Sequence, residues 1–264
     1  MNETLQAIVL ALLQGLTEFL PISSSAHLVI PSLVFGWPDQ GLAFDVAVHL
    51  GTLLAVVIYY RRDLITMSLA CLGASGGEQA RAQRRLVGQL ALATLPAVIL
   101  GLAGSDFIES QLRNLPVIAT TTLVFGLLLG LADRRHGRAA QVSWGSALLI
   151  GLAQAMALVP GVSRSGVTIT AALLLGLSRQ EAARFSFLLS IPIIAGAGLL
   201  KGLDLAAQAA PVDWAGLAMA TLVAGITAYA CIGVFLRLLD RIGMMPFVVY
   251  RVLLALVLYA IWVV

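Results

Sequence analysis

Charged residues are scarce in this chain of 264 residues. They make up 11% of it, whereas soluble domains contain about 25%. Hydrophobic residues account for 60% of the chain, and its mean hydropathy is +0.98. This balance excludes an ordinary soluble domain and predicts an all-α polytopic membrane protein.

The chain is also short of the features that mark nucleic-acid binding, disulfide bonding and secretion. Its formal net charge is only +3 and belongs to loops, so we expect no nucleic-acid partner. Of its two cysteines, Cys71 falls in a polar loop and Cys231 in an apolar span, so we expect no disulfide. Glu3 and the absence of a basic cluster before the first apolar run predict that no signal peptide is cleaved.

Six segments are long and apolar enough to cross a membrane as helices, which takes about 20 residues. They are residues 43–60, 86–104, 115–132, 186–203, 214–236 and 246–264. The residues between them, such as 73–78, have the composition of plain polar linkers.

Two further apolar stretches are each broken in the middle. Residues 5–20 and 22–36 meet at Pro21, and residues 143–159 and 166–177 meet at Pro160-Gly161. Proline breaks a helix, and bare backbone is tolerated inside a bilayer only where protein or water satisfies it. Segment length favours two re-entrant helix–loop–helix hairpins over two pairs of short full spans.

The distribution of basic residues predicts the orientation. Of the 16 Lys and Arg, 12 lie in residues 61–85, 133–142, 178–185 and 237–245, and two lie in residues 1–4, 37–42, 105–114 and 201–213. The positive-inside rule makes the first set cytoplasmic and puts both termini outside. The first hairpin then enters from outside and the second from the cytoplasm. Residues 1–132 and 133–264 therefore form an inverted repeat within one membrane domain.

Each broken stretch carries a polar motif, and the two motifs are alike. The first is Gln14-Gly15-Leu16-Thr17-Glu18, followed by Pro21-Ile22-Ser23-Ser24-Ser25-Ala26-His27. The second is Gly151-Leu152-Ala153-Gln154, followed by Pro160-Gly161-Val162-Ser163-Arg164-Ser165-Gly166. Doubled, helix-breaking elements in apolar surroundings predict an intramembrane site at the interface of the two repeats.

Glu18 is the strongest candidate for chemistry in the first motif. An ionisable residue in a membrane segment costs roughly 2.5–3.5 kcal/mol and is a functional hypothesis by default. Gln14 shares its helix face, and three serines and His27 follow within nine residues. This density of polar groups fits a pocket that handles metal or phosphate. The alternative is that Glu18 lies near the surface and caps a turn, and that the serines are N-caps and packing residues.

The second motif resembles a phosphate cradle that opens a helix. Its glycines allow close backbone approach, its hydroxyls donate hydrogen bonds, and Arg164 offers a planar fork matched to phosphate oxygens. The GxxxxGK[ST] spacing of a P-loop is absent. The alternative for Arg164 is a charge at a helix end that extends toward the membrane surface.

Together the motifs resemble those of the bacterial undecaprenyl pyrophosphate phosphatases, the bacitracin-resistance protein family. Residues 14–27 are similar to the family's [E/Q]-x-x-x-E segment with its serine run and histidine, and Pro160 to Thr168 is similar to its PGxSRSxxT segment. The resemblance covers essentially the whole chain. Where many members have glutamate first, this chain has Gln14, so Glu18 is the only carboxylate of the pair.

The resemblance implies an enzyme that removes one phosphate from a C55 isoprenyl pyrophosphate in the bacterial inner (plasma) membrane and so recycles the carrier lipid of cell-wall synthesis. It implies a divalent cation, Mg²⁺ or Ca²⁺, at Glu18 and Gln14. The implied catalytic residues are Glu18, Ser24, His27 and Arg164. The residues expected to bind substrate are Gln14, Ser23, Ser25, Gly161, Ser163, Ser165, Gly166 and Thr168.

Several alternatives stay open at this point. Either Ser24 or His27 forms a phospho-enzyme as the nucleophile, or water attacks directly, and we favour Ser24. A flippase or secondary transporter for a lipid-linked or anionic substrate would show the same inverted repeat and broken helices. The expected partners are a polyprenyl pyrophosphate and membrane lipids, and a homodimer is left open. Because the first hairpin enters from outside, we expect the active site to face the extracytoplasmic side.

Overall fold

The computed structural model describes residues 3–38, 40–135, 137–207 and 213–263, which fold almost entirely into α-helices. Within these residues the one β-type pairing is an isolated bridge between Ala139 and Leu177. The helices are α1 (Glu3–Thr17), α2 (Ser24–Phe35), α3 (Gly41–Tyr59), α4 (Arg61–Cys71), α5 (Gly77–Phe107), α6 (Leu115–Arg134), α7 (Trp144–Ala155), α8 (Arg164–Leu174), α9 (Arg179–Ala207), α10 (Trp214–Ile242) and α11 (Met245–Val263). A π-helical turn, Ile108–Leu112, follows α5, and a 3-10 turn, Met156–Leu158, follows α7.

Six of the described helices are long and apolar enough to cross a membrane, namely α3, α5, α6, α9, α10 and α11. They coincide with the six predicted segments, so the chain is a multi-pass, all-α membrane protein. The outward faces of these helices carry exposed leucine, isoleucine and valine side chains, as expected for surfaces that contact lipid.

The prediction that Cys71 lies in a polar loop was wrong, and the predicted linker at residues 73–78 is shorter than expected. The structure has helix α4 in this region, and α5 begins at Gly77, well before the apolar residues of its span. The residues between Gly77 and the span are mainly Ala, Gln, Glu and Arg, which favour a helix regardless of polarity. Hydropathy marks where a helix enters lipid and does not mark where the helix ends.

Four of the short helices, α1, α2, α7 and α8, form the two broken pairs that the sequence predicted. Helix α1 ends at Thr17 and α2 begins at Ser24, so Pro21 lies in the loop between them. Likewise, Pro160 and Gly161 lie between the 3-10 turn and α8. That these pairs are re-entrant and oppositely inserted stays a prediction, because the structure contains no membrane.

Small residues allow each half of the chain to pack closely against the other. Helix α1 packs against α10, and α7 packs against α5. A Cβ added at Gly15 would lie 2.6 Å from the Ala224 carbonyl oxygen, and one added at Gly151 would lie 2.5 Å from the Ala93 carbonyl oxygen. Close backbone approach through small residues is the usual way in which helices associate in lipid. These contacts hold both broken pairs inside the bundle, with their loops facing each other.

Candidate active site

Two short loops form the centre of the site, and they share one backbone conformation. The first ends at Ser23, before α2, and the second ends at Ser163, before α8. Their φ angles are 74° and 70°, and no other non-glycine residue in the described ranges has a positive φ. Strained backbone of this kind clusters at functional sites. The main-chain N–H groups at the starts of α2 and α8 come directly after these two serines in the chain. Such groups attract anions.

Serine side chains connect the two loops to each other. The Ser165 hydroxyl donates to the Leu20 carbonyl oxygen over 2.8 Å, and the Gly161 N–H donates to the Ser25 hydroxyl oxygen over 3.3 Å. The Ser25 hydroxyl also lies 3.1 Å from that of Ser23. The third residue of each serine motif therefore already bonds the opposite loop.

Glu18 lies where the two loops meet and accepts three side-chain hydrogen bonds. Its Oε2 accepts from the Gln14 amide over 2.9 Å and from the Ser24 hydroxyl over 3.1 Å. Its Oε1 accepts from Nη2 of Arg164 over 3.0 Å. Three other predicted site residues, from both halves of the chain, thus meet at the Glu18 carboxylate, which is only 9% exposed. Glu18 does not cap a turn at the surface.

Arg164 is held inside the bundle by three groups. Besides the ion pair with Glu18, its Nη1 donates to the Ser186 carbonyl oxygen over 3.2 Å, and its guanidinium carbon lies 5.7 Å from the centre of the Phe19 ring. Phe19 in turn packs edge-on against Phe187, with ring centres 5.3 Å apart. The side chain is 12% exposed, so it does not extend to the membrane surface. Its remaining N–H groups are free to meet an anion.

His27 is next to this cluster but is bonded elsewhere. Its Nδ1 lies 2.7 Å from the Ser23 carbonyl oxygen, and its Nε2 lies 2.6 Å from the Tyr250 hydroxyl. Because a carbonyl oxygen only accepts, Nδ1 carries a proton, and in the neutral ring Nε2 accepts from Tyr250. Among the hydrogen bonds of the described residues, none joins His27 to Ser24 or Glu18. His27 therefore fixes the first loop and contacts α11.

The remaining predicted residues shape the start of α8. The Ser163 hydroxyl oxygen accepts from the Gly166 N–H over 3.1 Å and caps the helix. The Thr168 hydroxyl donates to the Arg164 carbonyl oxygen over 2.8 Å and lies 2.7 Å from the Ser186 hydroxyl. Gly161 has a φ of 89°, which favours glycine. These residues orient the segment that carries Arg164.

Gln14 and Glu18 fit the predicted divalent cation as a partial ligand set. Gln14 is fully buried, and its Oε1 has no hydrogen-bond partner. Mg²⁺ is commonly held by one or two carboxylates together with substrate phosphate oxygens, and amide oxygens are ligands of Ca²⁺. Within the described residues no group of three His, Cys, Asp or Glu could hold a metal. A cation here would therefore need oxygens of the substrate.

Two residues of α11 reach the site and were missed by the sequence analysis. Tyr250 contacts His27, and Arg251 donates to main-chain carbonyls of both loops. The signal for Arg251 was present, because it is a charged residue inside an apolar span. Nothing in the sequence distinguished Tyr250 from a tyrosine that faces lipid.

Comparisons with known proteins match nearly the whole chain to one family. The family model described as bacitracin resistance protein BacA matches residues 7–257. A protein of Alcanivorax borkumensis is 60% identical over 262 residues, which cover 96% of this chain and 97% of that protein. A protein of Hahella chejuensis is 56% identical over 252 residues, covering 95% of each. One of Teredinibacter turnerae is 53% identical over 260 residues, covering 97% of this chain and 98% of that protein. All three relatives are named undecaprenyl-diphosphatase.

Proposed function

Because the chain belongs to the bacitracin resistance protein BacA family, we propose that it is an integral-membrane phosphatase that hydrolyses undecaprenyl diphosphate to the monophosphate and inorganic phosphate. The observation that carries this proposal is the full-length similarity to relatives named undecaprenyl-diphosphatase. The cluster of a carboxylate, a hydroxyl and a guanidinium in the membrane domain agrees with this chemistry. The reaction regenerates the carrier lipid of cell-wall synthesis and connects the protein to bacitracin resistance.

The hydrogen bond from Ser24 to Glu18 supports Ser24 as the nucleophile. Glu18 would take the hydroxyl proton as the Ser24 oxygen attacks the terminal phosphorus. The new Ser–O–P bond forms while the bond from phosphorus to the bridging oxygen breaks, and the lipid monophosphate leaves with that oxygen. Water then attacks the phosphoserine, which releases inorganic phosphate and restores the hydroxyl.

Arg164 and the two helix starts would stabilise the charge of the transferred group. The guanidinium has N–H groups beyond those bonded to Glu18 and Ser186, and these can hold phosphoryl oxygens. The main-chain N–H groups at the starts of α2 and α8 add partial positive charge from opposite directions. Preorganised donors of this kind are usually the largest contribution to catalysis of phosphoryl transfer.

A divalent cation, Mg²⁺ or Ca²⁺, belongs to the same proposal. Gln14 and Glu18 would hold it, since the amide oxygen of Gln14 lacks a partner and the carboxylate is adjacent. When bound, the cation neutralises charge on the phosphate oxygens. His27 would keep the first loop in position and act on the leaving group only if its bond to Tyr250 opens.

The sidedness of the reaction is also a proposal. The arginine distribution puts the first loop, with its hydroxyls and carboxylate, in a hairpin that enters from the extracytoplasmic side of the inner membrane. The second hairpin enters from the cytoplasm and contributes Arg164. The lipid tail would leave the site sideways into the bilayer. A homodimer remains a prediction, which light scattering on the purified protein would test.

The central test is direct. Protein purified in detergent should release inorganic phosphate from a polyprenyl diphosphate in the presence of Mg²⁺ or Ca²⁺, and chelation should stop the release. A preparation that releases no phosphate, yet moves the lipid between leaflets of reconstituted vesicles, would favour the flippase alternative instead.

A further inference from the structure

Arg251 of α11 is a buried cation that has no counter-ion among the residues that the structure describes. It has no exposed surface, and it is the largest fully buried side chain among the described residues. Arg164, Arg179 and Arg184 each pair with a carboxylate, whereas Arg251 forms no ion pair with any residue that the structure describes. Burial of a charge is expensive unless hydrogen bonds satisfy it. The hydrogen bonds of Arg251 must therefore offset the cost of burying its charge.

All six hydrogen bonds of Arg251 go to main-chain carbonyl oxygens, and they link three separate segments. Nη1 donates to Pro21 in the first loop over 3.3 Å. Nη1 and Nη2 both donate to Val162 in the second loop over 3.1 Å, and Nη2 also donates to Gly161 over 3.0 Å. The remaining two bonds go to carbonyls of α6, at Thr122 over 3.0 Å and at Thr121 over 3.4 Å. One planar guanidinium thus joins both loops to one helix.

Only an arginine has the shape for this arrangement. Its five N–H donors point outward in one plane, so one side chain can reach carbonyls on opposite sides. Lysine keeps the positive charge but has a single nitrogen and three donors. If the charge alone mattered, lysine would suffice. If the fixed separation of the loops matters, lysine would fail.

We infer that Arg251 is a positioning residue that holds the two loops at the separation at which Ser24 and Arg164 act on the same phosphoryl group. The inference rests on the proposed phosphatase function. Arg251 itself is bonded to carbonyls on every side and is not assigned a contact with substrate. No carboxylate of a described residue pairs with the positive charge that it adds behind the loops, so this charge also favours an anion in the pocket.

The first test is Arg251→Lys in the full-length protein, assayed with a polyprenyl diphosphate. We expect kcat to fall by on the order of 100-fold, as for a misplacement of catalytic groups by about 1 Å. KM should change by less than about threefold, because the groups that bind substrate are still present. A kcat within about twofold of the wild type would overturn the inference.

The second test uses two variants of α6, of which one is expected to displace the Arg251 side chain and the other is its control. A Cβ at Gly126 of α6 would lie 2.9 Å from the Arg251 Cβ and 3.3 Å from its Nε. A Cβ at Gly130, one turn along the same helix, would lie 3.3 Å from Cγ1 of Val248, also in α11. Gly126→Ala should lower kcat, whereas Gly130→Ala, the matched control, should leave it near the wild-type value. Equal losses in both variants would assign the effect to packing between α6 and α11, and the inference would fail.

The third test does not depend on activity. In a protein with Cys71→Ser and Cys231→Ala, a cysteine replaces Val162, whose side chain is 1% exposed and lies in the second loop. We expect this thiol to be protected from a water-soluble maleimide when Arg251 is present, and to react several-fold faster with Arg251→Lys. Equal protection in both would overturn the inference. If the wild type releases no phosphate but the protection still depends on Arg251, the proposed function fails, while the inference that Arg251 holds the two loops together stands.

Discussion

The guanidinium of Arg164 and the carboxylate of Glu18 are 146 positions apart in the chain, and their closest atoms are 3.0 Å apart in the structure. Glu18 belongs to the first broken pair of helices and Arg164 to the second. Neither side chain could stay charged at this depth at low cost without the other. The ion pair therefore joins the two loops and also places the proposed base beside the proposed anion-binding group.

Removal of the Glu18 charge should abolish most of the turnover. Glu18→Gln keeps the size and a hydrogen-bonding oxygen but cannot take the Ser24 proton. We expect phosphate release to fall by at least about 100-fold, the usual contribution of a general base. Glu181→Gln is the matched control, since it also removes a carboxylate that pairs with an arginine, Arg184, outside the site. Similar losses in both variants would contradict the assignment of Glu18 as the base.

Arg164→Lys should be inactive although it conserves charge. Lysine has its three donors on a single nitrogen, so it cannot reach Glu18, Ser186 and a phosphoryl oxygen in the directions that the planar guanidinium spans. We expect a loss on the order of 100-fold in kcat, measured as phosphate release. Arg184→Lys, which changes the ion pair with Asp63 at 2.6 Å, should retain activity. An active Arg164→Lys enzyme would contradict this prediction and support the alternative that Arg164 is only a charge at a helix end.

Covalent trapping should separate Ser24 from His27. With a substrate labelled in its terminal phosphate and rapid quenching in denaturant at neutral pH, where a phosphohistidine also survives, we expect label on Ser24, because its hydroxyl bonds the carboxylate of Glu18. Ser24→Ala should give neither label nor turnover. Phosphohistidine at position 27 would reverse the assignment, and attack by Nε2 would require His27 to leave Tyr250.

Tyr250→Phe should reduce activity moderately. It removes the hydroxyl that contacts Nε2 of His27 and keeps the ring that stacks on the imidazole at 5.5 Å. A neutral hydrogen bond contributes about 1 kcal/mol, so we expect roughly a fivefold fall in kcat/KM. Tyr259→Phe removes a hydroxyl of the same helix that bonds Thr120 on an exposed face, and it should have no effect. Equal activities of the two variants would leave Tyr250 without a role in the site.

Sidedness is tested with sealed, right-side-out vesicles. An impermeant chelator added outside should stop phosphate release, because the first loop is expected to open to the extracytoplasmic side. Independently, single cysteines at Glu3 and Ser75 should react with an impermeant maleimide from opposite sides. Labelling of both from the same side, or hydrolysis with the cation supplied only inside, would contradict the arginine map.

The sequence predicted the apolar helices and the cluster at Glu18 for a simple physical reason. A charged or hydroxylated residue in a lipid-facing segment is expensive, so Glu18 and Arg164 stood out, and each has a partner in the structure. The helical extension before residue 86 was missed because hydropathy does not indicate where a helix continues outside lipid. The bond between His27 and Tyr250 was missed because it joins residues 223 positions apart, and no local pattern encodes such a contact. The insertion of the hairpins and the cation site stay predictions.

Ser24 and Arg164 each follow the serine of positive φ in their loop, so two copies of one backbone turn carry a hydroxyl in one case and a cation in the other. In a symmetric pair of identical chains, these two positions would have to hold the same residue. A pair of hydroxyls would lack the charge that the phosphate needs, and a pair of guanidiniums would lack a nucleophile. Covalent continuity between the halves removes that restriction, because each turn can change without its counterpart. One chain can therefore place a hydroxyl on one turn and a cation on the other, which two identical chains in a symmetric pair could not do.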